Sequence, residues 1–189
     1  VTSRLVHGIF NQAKGNMDNT STYQTGSATP THTPESTSEY LSFQLGSVEY
    51  GIDILKVQEI RGFEKSTRMF NAPDYVLGVL NLRGVIVPIL DMRLKFAMTE
   101  VAYNSQTVTI VLNVANRVVG MVVDAVQDVV AIQATDVKPA PDFNGAVNTQ
   151  HIIGIATVEQ AEQQRMLVLL DIEKLMSSAD MGLVAEITE

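Results

Sequence analysis

The stretch "YGIDILKVQEI", beginning at Tyr50, aligns without gaps on "VGMVVDAVQDV", beginning at Val119, 69 residues further along the chain. A second landmark, "APDY" at Ala72, returns as "APDF" at Ala140, 68 residues on. Each is followed by a glycine and an apolar segment that ends in an aspartate, Asp91 or Asp171. Two landmarks in one register mark an internal duplication, and a chain that writes its pattern twice has to build two similar units and pack them together. The pattern itself has a period of two. "YLSFQL" alternates Leu41, Phe43 and Leu45 against Ser42 and Gln44, and "TVTIVLNV" alternates Val108, Ile110, Leu112 and Val114 against Thr107, Thr109 and Asn113. Such alternation is that of half-buried strands. Gly46-Ser47 and Asn116-Arg117 read as hairpin turns leading into "VEYGI" and "VVGMVV". Helical signals are confined to a possible turn at "APDYVLG" and to the C-terminal "DIEKLMSSADMGLVAEI", where Asp171 is placed to cap. About five short strands per copy is the signature of a small closed barrel, so an all-β fold of two stacked five-stranded barrels with a short C-terminal helix is expected. Closure would also remove the exposed edges that valine-rich strands otherwise carry. Pro88, inside "VIVPIL", lacks a ladder donor and belongs at an edge, bend or bulge.

Residues 11–38 are dominated by Thr, Ser, Asn and Gly and hold almost no aliphatic side chains. Such a segment cannot bury enough apolar surface to offset the entropy of ordering it, so residues 1–38 are expected to form a disordered tail and residues 39–189 the folded body. Asn19-Thr20-Ser21 matches a glycosylation sequon and "RLVHGIF" resembles a short docking peptide, but biased sequence generates such patterns by chance. The tail's four charges, Arg4, Lys14, Asp18 and Glu35, cancel, so the net charge of -8 belongs to the body. That charge repels a phosphate backbone, and no cluster of lysine or arginine reverses it locally, which argues against nucleic acid as a partner. No apolar run approaches the roughly 20 residues of a membrane helix, so no membrane insertion is expected and the cytoplasm is the expected location. The chain has no cysteine, which removes disulfides, thiolate metal sites and cysteine nucleophiles together.

Histidine is the usual general base and metal ligand, yet His7 and His32 lie in the tail and only His151 in the body, at the start of a strand. No phosphate-binding glycine loop, nucleophile elbow or paired-histidine zinc motif occurs. Asp124 and Asp128 are four apart, on one face of a strand, and are the remaining candidates for acid–base work, although "VVDAVQDVV" reads more simply as solvated strand ends. Asp53 and Asp91 read as turn caps. No catalytic residue, metal or cofactor is expected, and the protein reads as no enzyme. Two features are candidates to face a partner, although "VQEIRG" by itself reads as an ordinary solvated edge and lone turn arginines are common. "VQEIRG", read as a straight strand, sets Val57, Glu59 and Arg61 on one side and Gln58 and Ile60 on the other. Arg83 stands between the strands "GVLNL" and "VIVPIL", at a hairpin apex where Gly84 supplies the turn, so its guanidinium is displayed on a rigid support.

The segments "FQLGSVEYGIDILKVQEIRG", "NAPDYVLGVLNLRGVIVPILDMRLKF", "VTIVLNVANRVVGMVVDAVQDVV" and "RMLVLLDIEKL" resemble the CheW family, the coupling proteins of bacterial chemotaxis. The resemblance runs from about Glu39 to the final helix and leaves the tail unmatched. It implies two intertwined SH3-like five-stranded barrels and no catalysis. It further implies a non-catalytic adaptor that joins the cytoplasmic hairpin tip of chemoreceptors to the regulatory domain of the histidine kinase CheA, which shares the fold. Carried over by position, the family's receptor-facing residues fall on Val57, Glu59, Arg83 and Val108. The alternative is the same fold as a detached regulatory domain of the kinase or as the front half of a receiver-fused coupling protein. Departures from the family are the Thr/Ser-rich tail and a longer hairpin at "TVEQAEQQRM".

Overall fold

Among the residues described by the computed structural model, 36–141, 149–160 and 163–177, the alternating segments become eleven strands and two short helices. The strands are β1 (Thr37–Leu45), β2 (Val48–Asp53), β3 (Val57–Gly62), β4 (Val76–Leu82), β5 (Val85–Asp91), β6 (Val108–Val114), β7 (Arg117–Val123), β8 (Ala125–Gln133), β9 (Val137–Lys138), β10 (Ile152–Gln160) and β11 (Gln163–Leu170). Helix α1 (Met92–Lys95) follows β5 and α2 (Ile172–Ser177) follows β11. β1 starts two residues before the expected boundary. The sequon, the "RLVHGIF" segment, most of the expected tail, the tip of the "TVEQAEQQRM" hairpin and the chain beyond Ser177 lie outside the described residues.

Two sheets result, a six-stranded one in the order β8-β1-β2-β11-β10-β9 and a five-stranded one in the order β3-β6-β7-β5-β4. The first hairpin of each copy, β1–β2 or β6–β7, therefore lies in the sheet completed by the other copy, so the two units are interlaced. The duplication is legible strand by strand. β2 pairs in parallel with β11, and at the matching place β7 pairs in parallel with β5. At both parallel seams a glycine faces a bulky residue, Gly51 opposite Leu169 and Gly120 opposite Ile89. A Cβ would come 2.9 Å from the Leu169 methyl at the first and 2.5 Å from the Ile89 Cδ1 at the second, so a larger residue at either seam would force that side chain to shift. The register shifts are duplicated as well: β3 is irregular between Val57 and Glu59, and β8 slips by one residue where it passes Leu41 to Phe43.

Neither sheet closes by a continuous ladder. In the five-stranded sheet β3 and β4 remain edges, and the chain beyond β3 reaches β4 through an isolated bridge in which Thr67 and Val79 exchange both backbone hydrogen bonds, at 3.0 and 2.9 Å. Gly78 allows that approach: its φ is +137, and a Cβ there would stand 2.0 Å from the Thr67 carbonyl oxygen. The two-residue β9 occupies the corresponding place in the other sheet, which is why that sheet counts six strands. Pro88 sits at the margin of a ladder, since β5 joins β7 only from Ile89 onward. The second hairpin turn is Ala115–Asn116, one residue earlier than the sequence suggests, with both residues at positive φ. Asp171 caps α2, its Oδ1 accepting from the Lys174 N–H at 3.0 Å. "APDYVLG" forms a turn that runs into β4.

Burial follows from the two curled sheets. One small cluster, with Val87, Ile89, Val111 and Val122, fills the five-stranded sheet, and another, with Val130, Ile132, Leu167 and Leu169, fills the six-stranded sheet. The largest cluster lies between the sheets, built from the opposite faces of β1, β6 and β7 together with α2. Alternate residues of β6 illustrate the division: Val108, Ile110, Leu112 and Val114 enter the shared core, while Val111 enters the smaller one.

Candidate functional site

Arg83 and Gly84 form the two-residue loop between β4 and β5, closing on the Leu82–Val85 pair. Their φ values of 53 and 91 are those of a type I′ turn, whose twist matches the flanking strands. Asn81 reinforces it, its Oδ1 accepting from the Gly84 N–H at 2.7 Å. The Arg83 side chain is 83% exposed. Its Nη2 donates to Glu59 Oε2 at 3.2 Å, so the hairpin tip reaches across the open end of the sheet to β3. Glu59 turns its other oxygen toward Arg61, with Oε1 3.6 Å from Nη1, and Arg61 Nη2 donates to Glu64 Oε1 at 2.8 Å. Four charges of alternating sign thus run Arg83, Glu59, Arg61, Glu64. The hydrogen bond to Glu64 and the nearby negative charges of Glu64 and Glu59 raise the Arg61 pKa despite a lowering from partial burial.

Val57 does not share that face. The straight-strand expectation places it beside Glu59, but Val57 pairs with Leu112 and Glu59 with Val111, neighbours on β6 that point to opposite faces. The irregularity at Gln58 flips the alternation. Val57 and Ile60 accordingly pack on the shared core, whereas Glu59 and Arg61 lie on the other face. Val108 is 7% exposed and also belongs to the shared core, paired with Gly62 at the far end of β3. Of the four site residues carried over by resemblance, Glu59 and Arg83 meet directly, Val57 lies on the inter-sheet face of the same strand, and Val108 is buried in the shared core at the far end of that strand.

The acids that could have supported an enzyme are tied up in structure. Asp124 accepts from Arg93 Nη1 at 2.9 Å and from the Gly46 N–H at 2.7 Å. Asp128 accepts from the Ser42 hydroxyl and from Arg165 Nη2 at 3.1 Å. The sequence reading of both as solvated strand ends holds in part: Asp124 does stand between β7 and β8 and both side chains are about a third exposed, but Asp128 lies within β8 and each acid is held by an arginine distant in the chain. Asp91 is the cap expected, accepting from the Arg93 N–H at 3.0 Å, and it also accepts from Arg93 Nε and Nη2 at 2.9 and 2.7 Å and from the Tyr103 hydroxyl at 2.8 Å. Arg93 and Asp91 both have side chains at 0% exposure. Burial, then the hydrogen bond to Asp91, pushes the Tyr103 pKa up to about 12. Sequence reasoning missed Arg93, because an arginine in "DMRLKF" looks like the polar side of a short helix; the Asp-x-Arg spacing at the helix cap was the available signal. His151 is half-buried and its ring stacks on Phe96 at 5.9 Å. Burial, then the positive charge of Lys95, lowers its pKa. Among the described residues no three His, Asp or Glu side chains converge as a metal site. The cleft at the loop of residues 68–76, about 290 Å³, is walled by that loop alone.

Comparison with known proteins fits this geometry to a family. Residues 39–180 match the CheW-like domain. The chemotaxis protein CheW of Klebsiella aerogenes is 52% identical over 151 residues, covering 80% of this chain and 89% of that protein. The chemotaxis protein CheW of Rhizobium meliloti is 35% identical over 142 residues, covering 75% of this chain and 89% of that one. Among solved structures, the scaffolding protein TtCheW of Thermoanaerobacter tengcongensis shares the fold with a TM-score of 0.67 at 24% identity, covering 76% of this chain and 95% of that one. A chain with two interlaced β-sheets, a domain match over most of its length and a half-identical chemotaxis relative belongs to the CheW family.

Proposed function

We propose that this protein is a non-catalytic adaptor of the cytoplasm that holds a chemoreceptor's cytoplasmic hairpin tip on one surface and the regulatory domain of the kinase CheA on another. The observation that carries the receptor-facing half is the Arg83–Glu59 pair, a nearly free guanidinium fixed on a two-residue turn and aimed across the mouth of the sheet. Both groups already satisfy each other, so neither is held open for a reaction, and both remain accessible to a helix laid against the surface. Glu59 and Arg83 read polar groups on that helix. Val57 offers apolar contact from the adjoining inter-sheet side, and Val108 backs the far end of β3 from the shared core. Family membership and the pairing of Asp124 and Asp128 with arginines support an adaptor over an acid-dependent enzyme.

Co-precipitation tests the reading. The full chain is expected to retain a purified receptor hairpin fragment and the CheA regulatory domain at the same time. Arg83→Ala removes only an exposed ion pair of little worth to stability, so the fold stays intact. Receptor affinity is expected to fall by about 2 kcal/mol, as for a central interface arginine, while kinase binding is unchanged. Undiminished receptor binding in this variant refutes the assignment.

A further inference from the structure

The ion pairs around Glu59 do not end at Arg83. Glu59 divides its two carboxylate oxygens between Arg83 and Arg61, and Arg61 divides its two terminal nitrogens between Glu59 and Glu64. The result is a continuous line of cation, anion, cation, anion along the edge strand and past its end. β3 is an edge of its sheet, so nothing in the sheet covers the outer side of this line. Resting on the receptor-facing reading above, we propose that Arg61 and Glu64 are further specificity-determining residues, which extend the Glu59–Arg83 pair into a four-charge ruler that fixes the register and direction of the docked receptor helix.

The geometry favours a helix as the occupant. Residues two apart on a strand are separated by about 6.6 Å, and residues four apart on a helix by about 6 Å along its axis. A helix lying along β3 with charges of alternating sign at that spacing can therefore set a base against Glu59 and an acid against Arg61, and a further base beyond them faces Glu64, three residues on and just past the strand. Because the four charges alternate, their total is zero. Long-range attraction between net charges contributes little, and a helix shifted by one turn, or run in the opposite direction, brings like charges together. The line thus selects among poses more than it adds raw affinity. Its internal ion pairs also hold the long side chains extended before docking, which reduces the entropy lost when the helix arrives.

Binding of chemoreceptor hairpin fragments to the full-length chain, measured by titration calorimetry and by association rate against salt, tests this. The double exchange Arg61→Glu with Glu64→Arg keeps the 61–64 ion pair with its polarity reversed and turns the longer 3.6 Å contact with Glu59 into a like-charge one. It is expected to weaken receptor binding by about tenfold and to change the salt dependence of association, with the melting temperature only slightly lowered by the new contact with Glu59 and CheA binding unchanged. Arg61→Lys, which preserves the sign, is expected to stay within about threefold of the unaltered protein. If the exchange variant binds as tightly as the unaltered protein, the ruler is refuted and Arg61 and Glu64 are a structural pair. Should the exchange variant misfold, Glu64→Lys decides the matter, because that side chain is 53% exposed and its replacement disturbs no packing. If the unaltered protein itself binds none of the fragments, the receptor-facing reading fails first and the ruler falls with it.

Discussion

Replacing Arg93 with methionine should be the most damaging single change away from the proposed docking surface. The guanidinium makes two hydrogen bonds to Asp91, one to Asp124 and one to the Ala102 carbonyl, the last at 2.6 Å, and the Tyr103 ring covers it at 4.6 Å from the ring centroid. Methionine fills much of the same space, so the loss is chiefly electrostatic. Asp91 would keep its backbone donor and the Tyr103 hydroxyl but lose its only buried cation, and stranding a buried charge costs about 3–5 kcal/mol. Asp124 loses less, because its side chain is a third exposed and water replaces the arginine. Against a domain stability of about 5–15 kcal/mol, that is a large fraction. In urea, with a slope of about 2 kcal/mol per molar, the unfolding midpoint should drop by about 2 M. The companion variant Asp91→Asn with Arg93→Met removes the stranded charge while keeping an acceptor for the helix cap, and should recover about half of the loss. A midpoint that falls by less than about 0.5 M in the single variant would show that the pair is not what holds this corner. A double variant no better than the single one would assign the loss to packing instead.

Three further outcomes follow from single features. Gly78→Ala forces a Cβ to within 2.0 Å of the Thr67 carbonyl, so the isolated bridge should open and the amides of Thr67 and Val79 should lose their hydrogen-exchange protection, at a cost of about 2–3 kcal/mol. The His151 pKa is lowered in the folded state, first by burial and then by Lys95, so the unfolded chain takes up the proton first. Its contribution to stability is present above about pH 6.5 and is lost as pH falls through the folded value. His151→Gln should therefore flatten the fall in melting temperature between about pH 6.5 and pH 5. Tyr103, raised to about 12 by burial and by its bond to Asp91, should ionise among the last tyrosines in an absorbance titration, and Tyr103→Phe should remove that late step.

What the sequence shows plainly is the part governed by local rules. Strand alternation, the duplication, the cap at Asp171 and the turn at Arg83–Gly84 each depend on a few consecutive residues, and each appears where the pattern puts it. What it hides depends on pairings between distant residues. A period-two reading assumes an unbroken strand, so the irregularity at Gln58, which turns Val57 away from Glu59, leaves no trace in "VQEI". The ion pairs of Asp124 with Arg93 and of Asp128 with Arg165 join residues 31 and 37 apart, and one-dimensional reading therefore left the acids in solvent. The interlacing of the first hairpins is hidden for the same reason: either copy could have supplied its own hairpin without altering a single local signal.

The duplication also explains why only one of two equivalent places presents an exposed arginine. Glu59 and Asp128 occupy the same position in their copies, after the same irregularity, and each is paired with an arginine from later in that copy. Their surroundings have diverged. Opposite Glu59 the neighbouring strand carries Val111, which offers the carboxylate nothing, so Glu59 reaches outward to an arginine on a turn. At the corresponding place beside Asp128 the neighbouring strand carries Ser42, whose hydroxyl donates to the carboxylate and also receives the Asp128 backbone N–H at 3.2 Å. Arg165, rooted within β11 rather than in a turn, closes over the acid and over Glu49 on β2 at 3.2 Å. The two carboxylates are about equally exposed, and the copies differ in their arginines, 83% exposed at Arg83 and 22% at Arg165. Exchanging the two environments is a direct check: Ser42→Val with Val111→Ser should loosen Asp128 and draw Glu59 inward. If Glu59 sets the docking surface, receptor binding should fall although no residue of that surface has been changed.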